Sequence, residues 1–185
     1  EKKKRLLSSL IVVLLTVQLV LPQAFAEDSV GGQPAPQPSQ VAQIVPYWVQ
    51  TNTEKVLRDA PFPDNPRQTM VLEAAKNEYE SGQVIIKAIE APLTGVTVTV
   101  SDLTYGSGEA VIDSDNIDLF KQYYIEVTRQ TTGAYPKGWY PDALIPLPPD
   151  DAFDIPLGQN QGIWVSVYVP KGQLPGDYEG VLTVS

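Results

Sequence analysis

Short apolar/polar alternations, each closed off by turn residues, confine this chain to a β architecture more firmly than any other feature. Val96-Thr97-Val98-Thr99-Val100 alternates strictly, which places Val96, Val98 and Val100 on one face of an extended strand. Ile163, Val165, Val167 and Val169 face one way while Trp164, Ser166 and Tyr168 face the other. Gln83 to Ala88 groups Val84, Ile86 and Ala88 against Ile85, and Ile117 to Thr128 is rich in β-branched and aromatic residues. Tyr178 to Val184 is the last strand predicted, and Tyr47 to Val56 is predicted as an edge strand opening the domain. Asn77, Gly82, Pro92 to Gly95, Gly106 to Gly108, Gly158 to Asn160 and Pro170 to Gly176 punctuate these runs. No segment carries a helical stripe beyond a turn or two, and 17 prolines would break most helices. The expected fold is all-β, an antiparallel β-sandwich of immunoglobulin or jelly-roll type.

What the chain lacks narrows its chemistry. It has no cysteine and no histidine, which excludes a disulfide, a thiolate nucleophile, a zinc finger and a Ser-His-Asp triad within these 185 residues. A net charge of −9 argues against nucleic acid as a partner, because phosphate neutralisation needs clustered Lys and Arg.

The N-terminus is patterned for export. Lys2, Lys3, Lys4 and Arg5 precede an apolar run from Leu6 to Leu21, and Ala24-Phe25-Ala26 has the small-x-small form of a processing site. Residues 1–26 are therefore predicted to be a signal peptide, since a run of 16 residues falls short of the roughly 20 needed to span a bilayer. The processed protein would carry −12 on 159 residues and is expected to be secreted or displayed at the cell surface, with no membrane contact after cleavage. Residues 27–43, rich in Pro, Gly, Gln and Ser, read as a linker, since such a stretch buries too little surface to offset its ordering entropy. Residues 44–185 read as the sandwich domain, and the alternation still running at Ser185 leads to the expectation that the chain continues.

Four segments carry a family resemblance. Ala74-Ala75-Lys76-Asn77-Glu78-Tyr79-Glu80-Ser81-Gly82-Gln83 resembles an "A-x-N-E-Y-E-x-x-Q" strand-turn, and Tyr135-Pro136 to Pro146 is similar to a "Y-P-D-x-L-x-P" loop. Gln159 to Pro170 resembles "N-Q-x-x-W-V-x-V-x-V-P", and Pro175 to Gly180 resembles "P-G-x-Y-x-G". In this order they resemble the N-terminal β-sandwich of family-123-like glycoside hydrolases, with one departure: Lys137-Gly138-Trp139-Tyr140 intervenes between Tyr135-Pro136 and Pro141-Asp142. The resemblance implies a parent enzyme that cleaves N-acetylhexosaminides such as β-N-acetylgalactosaminides. It also implies that the substrate's 2-acetamido group acts as nucleophile, assisted by an Asp-Glu pair on a following barrel. None of that machinery would lie in residues 1–185, so no catalytic residue, metal or cofactor is expected here.

Read without the family, the residues give few sites. Glu78 and Glu80 would share a strand face with Tyr79 opposite, in the core; two carboxylates so spaced could be a glycosidase pair, but a turn-bracing pair is the plainer reading. Trp164 is expected to pack in the core or against a neighbouring domain. Asp113-Ser114-Asp115-Asn116-Ile117-Asp118 has the wrong residues for an EF-hand and reads as a turn, and Asp150, Asp151 and Asp154 as a solvated patch. The loop Tyr135 to Pro149 is the best candidate: Tyr135, Trp139, Tyr140 and Asp142 would contact sugar rings or dock a neighbouring domain, with apolar Leu144-Ile145-Pro146-Leu147 beside them. The sequence therefore predicts a non-catalytic accessory domain that buttresses a following catalytic barrel, with a glycan as a second partner. A stand-alone carbohydrate-binding module and a structural cell-surface domain are the alternatives.

Overall fold

The computed structural model describes residues 11–19, 45–106, 108–130, 132, 133 and 135–185. The described residues form thirteen strands: β1 Ile11–Leu19, β2 Tyr47–Thr51, β3 Thr69–Ala74, β4 Glu78–Lys87, β5 Leu93–Val96, β6 Val98–Val100, β7 Leu103–Tyr105, β8 Ala110–Ile112, β9 Ile117–Val127, β10 Gly138–Pro146, β11 Phe153–Ile155, β12 Asn160–Val169 and β13 Gly176–Val184. One sheet has the order β3-β1-β13-β7-β8, with β6 also paired to β13; the second has the order β10-β9-β12-β4-β2; β11 and β5 form a small third sheet. Among the described residues there is no α-helix, and the only helical turn is a 3-10 turn at Ser114–Asn116. The architecture is the expected β-sandwich.

The alternation writes the core. Ile163, Val165, Val167 and Val169 of β12 and Val84 and Ile86 of β4 meet Met70, Leu72, Tyr178, Leu182 and Val184 from the facing sheet in one buried cluster. Val96, Phe153 and Ile155 of the third sheet belong to the same cluster. Tyr178 is fully buried yet satisfied, its hydroxyl donating to the Leu174 carbonyl and accepting from Gln173 Nε2, each at 2.9 Å. Asn77 adopts a left-handed φ of 61° and Gly176 a φ of 149°, as the turn chemistry requires.

Several expectations change in the structure. Val96 to Val100 is not one strand: β5 joins β11 while β6 joins β13, and Thr97 between them exchanges two 3.0 Å backbone hydrogen bonds with Ser185. Its valines still share a face, because the switch between sheets preserves the alternation. Tyr79 is not in the core; it is 62% exposed on the outer side and rests against Tyr168, ring centroids 4.8 Å apart. The segment predicted as a loop from Tyr135 to Pro149 contains strand β10. Pro141 and Pro146 are tolerated there because β10 is an edge strand, where a missing N–H breaks no second ladder.

Part of the N-terminal apolar run forms a strand. Ile11–Leu19 lies between β3 and β13, parallel to β13 from Ile11↔Gly176 to Leu19↔Val184 and antiparallel to β3 from Ile11↔Ala74 to Thr16↔Thr69. Val13 and Leu15 are buried in the core and Thr16 is exposed. A run of Val, Ile and Leu suits a signal peptide and a fully buried strand equally well, so its composition cannot tell them apart. The rest of the predicted leader and the 27–43 linker lie outside the described residues.

Candidate functional site

A long segment between β2 and β3 crosses the outer face of the five-stranded sheet and determines which surfaces are free. Trp48, Val56 and Ile85 form a second buried cluster with Ala60 and Phe62, and the Trp48 and Phe62 rings meet edge-on at 5.3 Å. Three polar side chains of the sheet pin this segment. Gln83 Nε2 donates to the carbonyls of Thr51 and Glu54, both at 2.6 Å. Lys87 Nζ donates to the Ala60 and Gly158 carbonyls, both at 2.9 Å. Asn160 Nδ2 donates to the carbonyls of Leu57 and Ala60, at 2.9 and 3.0 Å.

This covering reverses the burial of β9 along its length. Ile117, at its start, is buried in the main core. Further on, Gln122 and Tyr124 are buried on the outer side, while Tyr123 and Ile125 on the inner side are 57% and 43% exposed. Gln122 Nε2 donates to Gln83 Oε1 at 2.8 Å, and its own Oε1 is sealed against Gly162 without a partner among the described residues. Tyr124 accepts a 3.2 Å hydrogen bond from the Gly162 N–H.

Burial pushes the Tyr124 phenol up from 10.0 to about 12, against a smaller lowering by the Gly162 hydrogen bond. The folded chain then holds a proton that the unfolded chain releases. This contribution is complete below pH 10.0 and is lost as pH rises towards about 12. The expected loss is about 3 kcal/mol, at ~1.4 kcal/mol per unit. Burial lowers the Lys87 ammonium, partly countered by Asp59, so that group changes stability with the opposite sign. Urea unfolding across this pH range should therefore show a decline that flattens in Tyr124→Phe.

The four predicted site residues are spread over two faces. Tyr135, 63% exposed, lies in the loop before β10. Trp139 faces outward, with the Arg58 guanidinium stacked 3.8 Å from its ring centroid and the Arg58 backbone N–H donating to the Trp139 carbonyl at 3.0 Å. Tyr140, next along the strand, faces inward, and its hydroxyl donates to the Pro136 carbonyl at 2.7 Å. Trp139 and Tyr140 thus form no common platform. Asp142 is exposed beside the register shift in β10 and lines a depression of about 220 Å³ with Asn52, Thr53, Glu54, Lys55, Gln122, Pro141, Leu144 and Trp164. Trp164 is half-buried on this outer face, outside the core.

Glu78 and Glu80 are turn braces. Glu78 Oε2 accepts from the Ala75 N–H at 2.7 Å, across the turn that holds Asn77. Glu80 Oε1 accepts from Asn52 Nδ2 and the Ser81 N–H, both at 3.1 Å. Asp113 caps the 3-10 turn through the Asp115 N–H at 2.9 Å. Among the described residues no group of acidic side chains is arranged to hold a metal.

The sequence reading missed the inner face of the β9–β10 ribbon. Tyr123 pairs with Ala143, Ile125 with Tyr140 and Lys121 with Ile145, all on the inward side of the sheet. The six-stranded sheet does not reach far enough to cover them, so Tyr123, Ile125 and Ile145 (42% exposed) remain open beside Tyr140. The alternation from Ile117 through Leu119 to Tyr123 and Ile125 was the available signal. It marks a face that must be covered, but not what covers it.

The same chain segment can be placed among known proteins. The family model of the glycoside hydrolase 123 N-terminal domain matches residues 48–185. Among solved structures, the chain is similar in fold to a family 123 glycoside hydrolase from Clostridium perfringens, described in terms of glycolipid glycan hydrolysis. The TM-score is 0.62 at 15% identity, over 76% of this chain and 24% of that one. No curated protein matches in sequence. This chain belongs to the glycoside hydrolase 123 N-terminal domain family.

Proposed function

We propose that this domain is the non-catalytic front part of an exported glycoside hydrolase acting on N-acetylhexosamine-containing glycans, and that it buttresses a catalytic barrel following it in the same chain. The observation that carries this reading is the uncovered apolar inner face of β9 and β10: Tyr123, Ile125, Tyr140 and Ile145. Contiguous apolar surface of this kind marks a partner site, and in a chain spanning 24% of the matched hydrolase the nearest partner is the remainder of the same polypeptide. The outer depression at Asp142 and Trp164 is a weaker candidate for sugar contact, because Arg58 occupies the face of Trp139, the ring best suited to stack on a sugar.

The test is to express the whole exported protein and the chain of residues 1–185 in parallel. The whole protein is expected to hydrolyse N-acetylhexosaminides, while residues 1–185 should show neither turnover nor measurable glycan affinity. Glycan binding by residues 1–185, abolished in Trp139→Ala, would instead establish a carbohydrate-binding module.

A further inference from the structure

Among the described residues, strand β3 has one ladder partner in its sheet, and that partner is β1. Without β1, β3 would be detached, β13 would lose one ladder, and Met70, Leu72, Tyr178 and Leu182 would face a vacant strand position where Val13 and Leu15 now sit. An unpaired ladder beside apolar side chains is a strand-acceptor site. Its walls, β3 and β13, run in opposite directions, because β1 is antiparallel to one and parallel to the other. Any occupant is therefore parallel to one wall and antiparallel to the other, and the site accepts a strand of either polarity.

Two observations separate this site from its present occupant. The family match begins at residue 48, so both walls lie inside the shared domain while Ile11–Leu19 lies outside it. A domain shared across a family needs the position closed by something other than this segment. Ile11–Leu19 also falls within the run that carries the pattern of an export leader, and cleavage after Ala26 would remove it. The position lies directly beside the end of β13, where Leu19 pairs with Val184. A chain turning back after Ser185 in a tight hairpin would enter it antiparallel to β13, the simplest connection between neighbouring strands.

We infer that the position between β3 and β13 is a strand-acceptor site, filled in the processed protein by an apolar, alternating strand from the chain following Ser185. Ile11–Leu19 occupies it only while the leader is attached. This rests on the reading of the chain as the front of a longer exported hydrolase.

The experiment uses the whole exported protein, with Val71 replaced by the photo-crosslinking amino acid p-benzoylphenylalanine. Val71 lies on β3 opposite Leu14 and is 56% exposed, so the probe sits against the occupant without entering the core. The expected result is an intramolecular cross-link, mapped by mass spectrometry, to the segment immediately after Ser185. In the unmodified protein, amides of that segment and of Thr69–Ala74 should exchange slowly, which confirms the strand independently of the probe. A cross-link to a retained Ile11–Leu19, to a second copy or to a distant part of the chain would overturn the inference, as would rapid exchange along β3. Hydrolase activity is read separately. An inactive protein with the expected cross-link would remove the enzyme reading and leave the acceptor site standing.

Discussion

Tyr123→Asp is expected to uncouple the sandwich from the proposed following domain while leaving the sandwich itself intact. Tyr123 is 57% exposed in the domain, and substitutions at such positions usually change stability by less than about 0.5 kcal/mol. Within a docked interface the same ring would be an aromatic anchor, and placing a carboxylate there is expected to cost about 2–4 kcal/mol of docking, roughly thirty- to a thousandfold. Calorimetry of the whole protein should then show two separate unfolding transitions where the parent shows one coupled transition. Tyr123→Phe, which keeps the ring, should behave as the parent does. Equal uncoupling by both substitutions, or by neither, would place the contact elsewhere.

The second large effect is expected inside the domain, at Gly162→Ala. A Cβ at this position would strike the Gln122 side chain, at Oε1 and at Cδ 2.6 Å away. Gln122 cannot swing aside freely: it is 4% exposed and its amide is held by Gln83, which in turn holds Thr51 and Glu54. The methyl group therefore adds overpacking of about 1–3 kcal/mol and the loss of a buried hydrogen bond worth about 1–3 kcal/mol more. Denaturant unfolding should show a total loss of about 2–6 kcal/mol. Gln122→Ala in the same background should recover part of it, because the two changes share one contact. A loss below about 0.5 kcal/mol would show that the Gln83–Gln122 relay does not restrain this part of the sheet.

The sequence discloses the sandwich wherever one strand face is wet and the other dry. β12 is read correctly from Ile163 to Val169 because its inward valines alternate with Trp164, Ser166 and Tyr168. Asn77 is read correctly because a left-handed turn suits few side chains. Reading fails where burial depends on which element lies opposite. Tyr79 has the character of a core residue, yet it shares the outer face with Gln83 and Ile85, and that end of β4 has no cover there. Tyr124 and Gln122 are buried only because the segment after β2 crosses them, a contact between residues far apart in sequence. The prolines of β10 look like loop residues until the strand is known to be an edge. Of the candidate site, Trp139, Tyr140 and Asp142 lie on β10, where the sequence predicts a loop. Their division between two faces, and the exposed Tyr123 and Ile125 beside them, follow from register and sheet overhang.

On the proposed function, the inner face of β9 and β10 is covered by a following domain of the same chain. Hydroxyl-radical footprinting of the whole protein tests it within a single sample, with Tyr79 as the solvent reference. In the domain alone the two tyrosines are comparably exposed, at 57% for Tyr123 and 62% for Tyr79. In the whole protein Tyr123 is expected to oxidise several-fold more slowly than Tyr79. Equal rates would mean that the face is open to water and that the domain does not buttress a barrel through it.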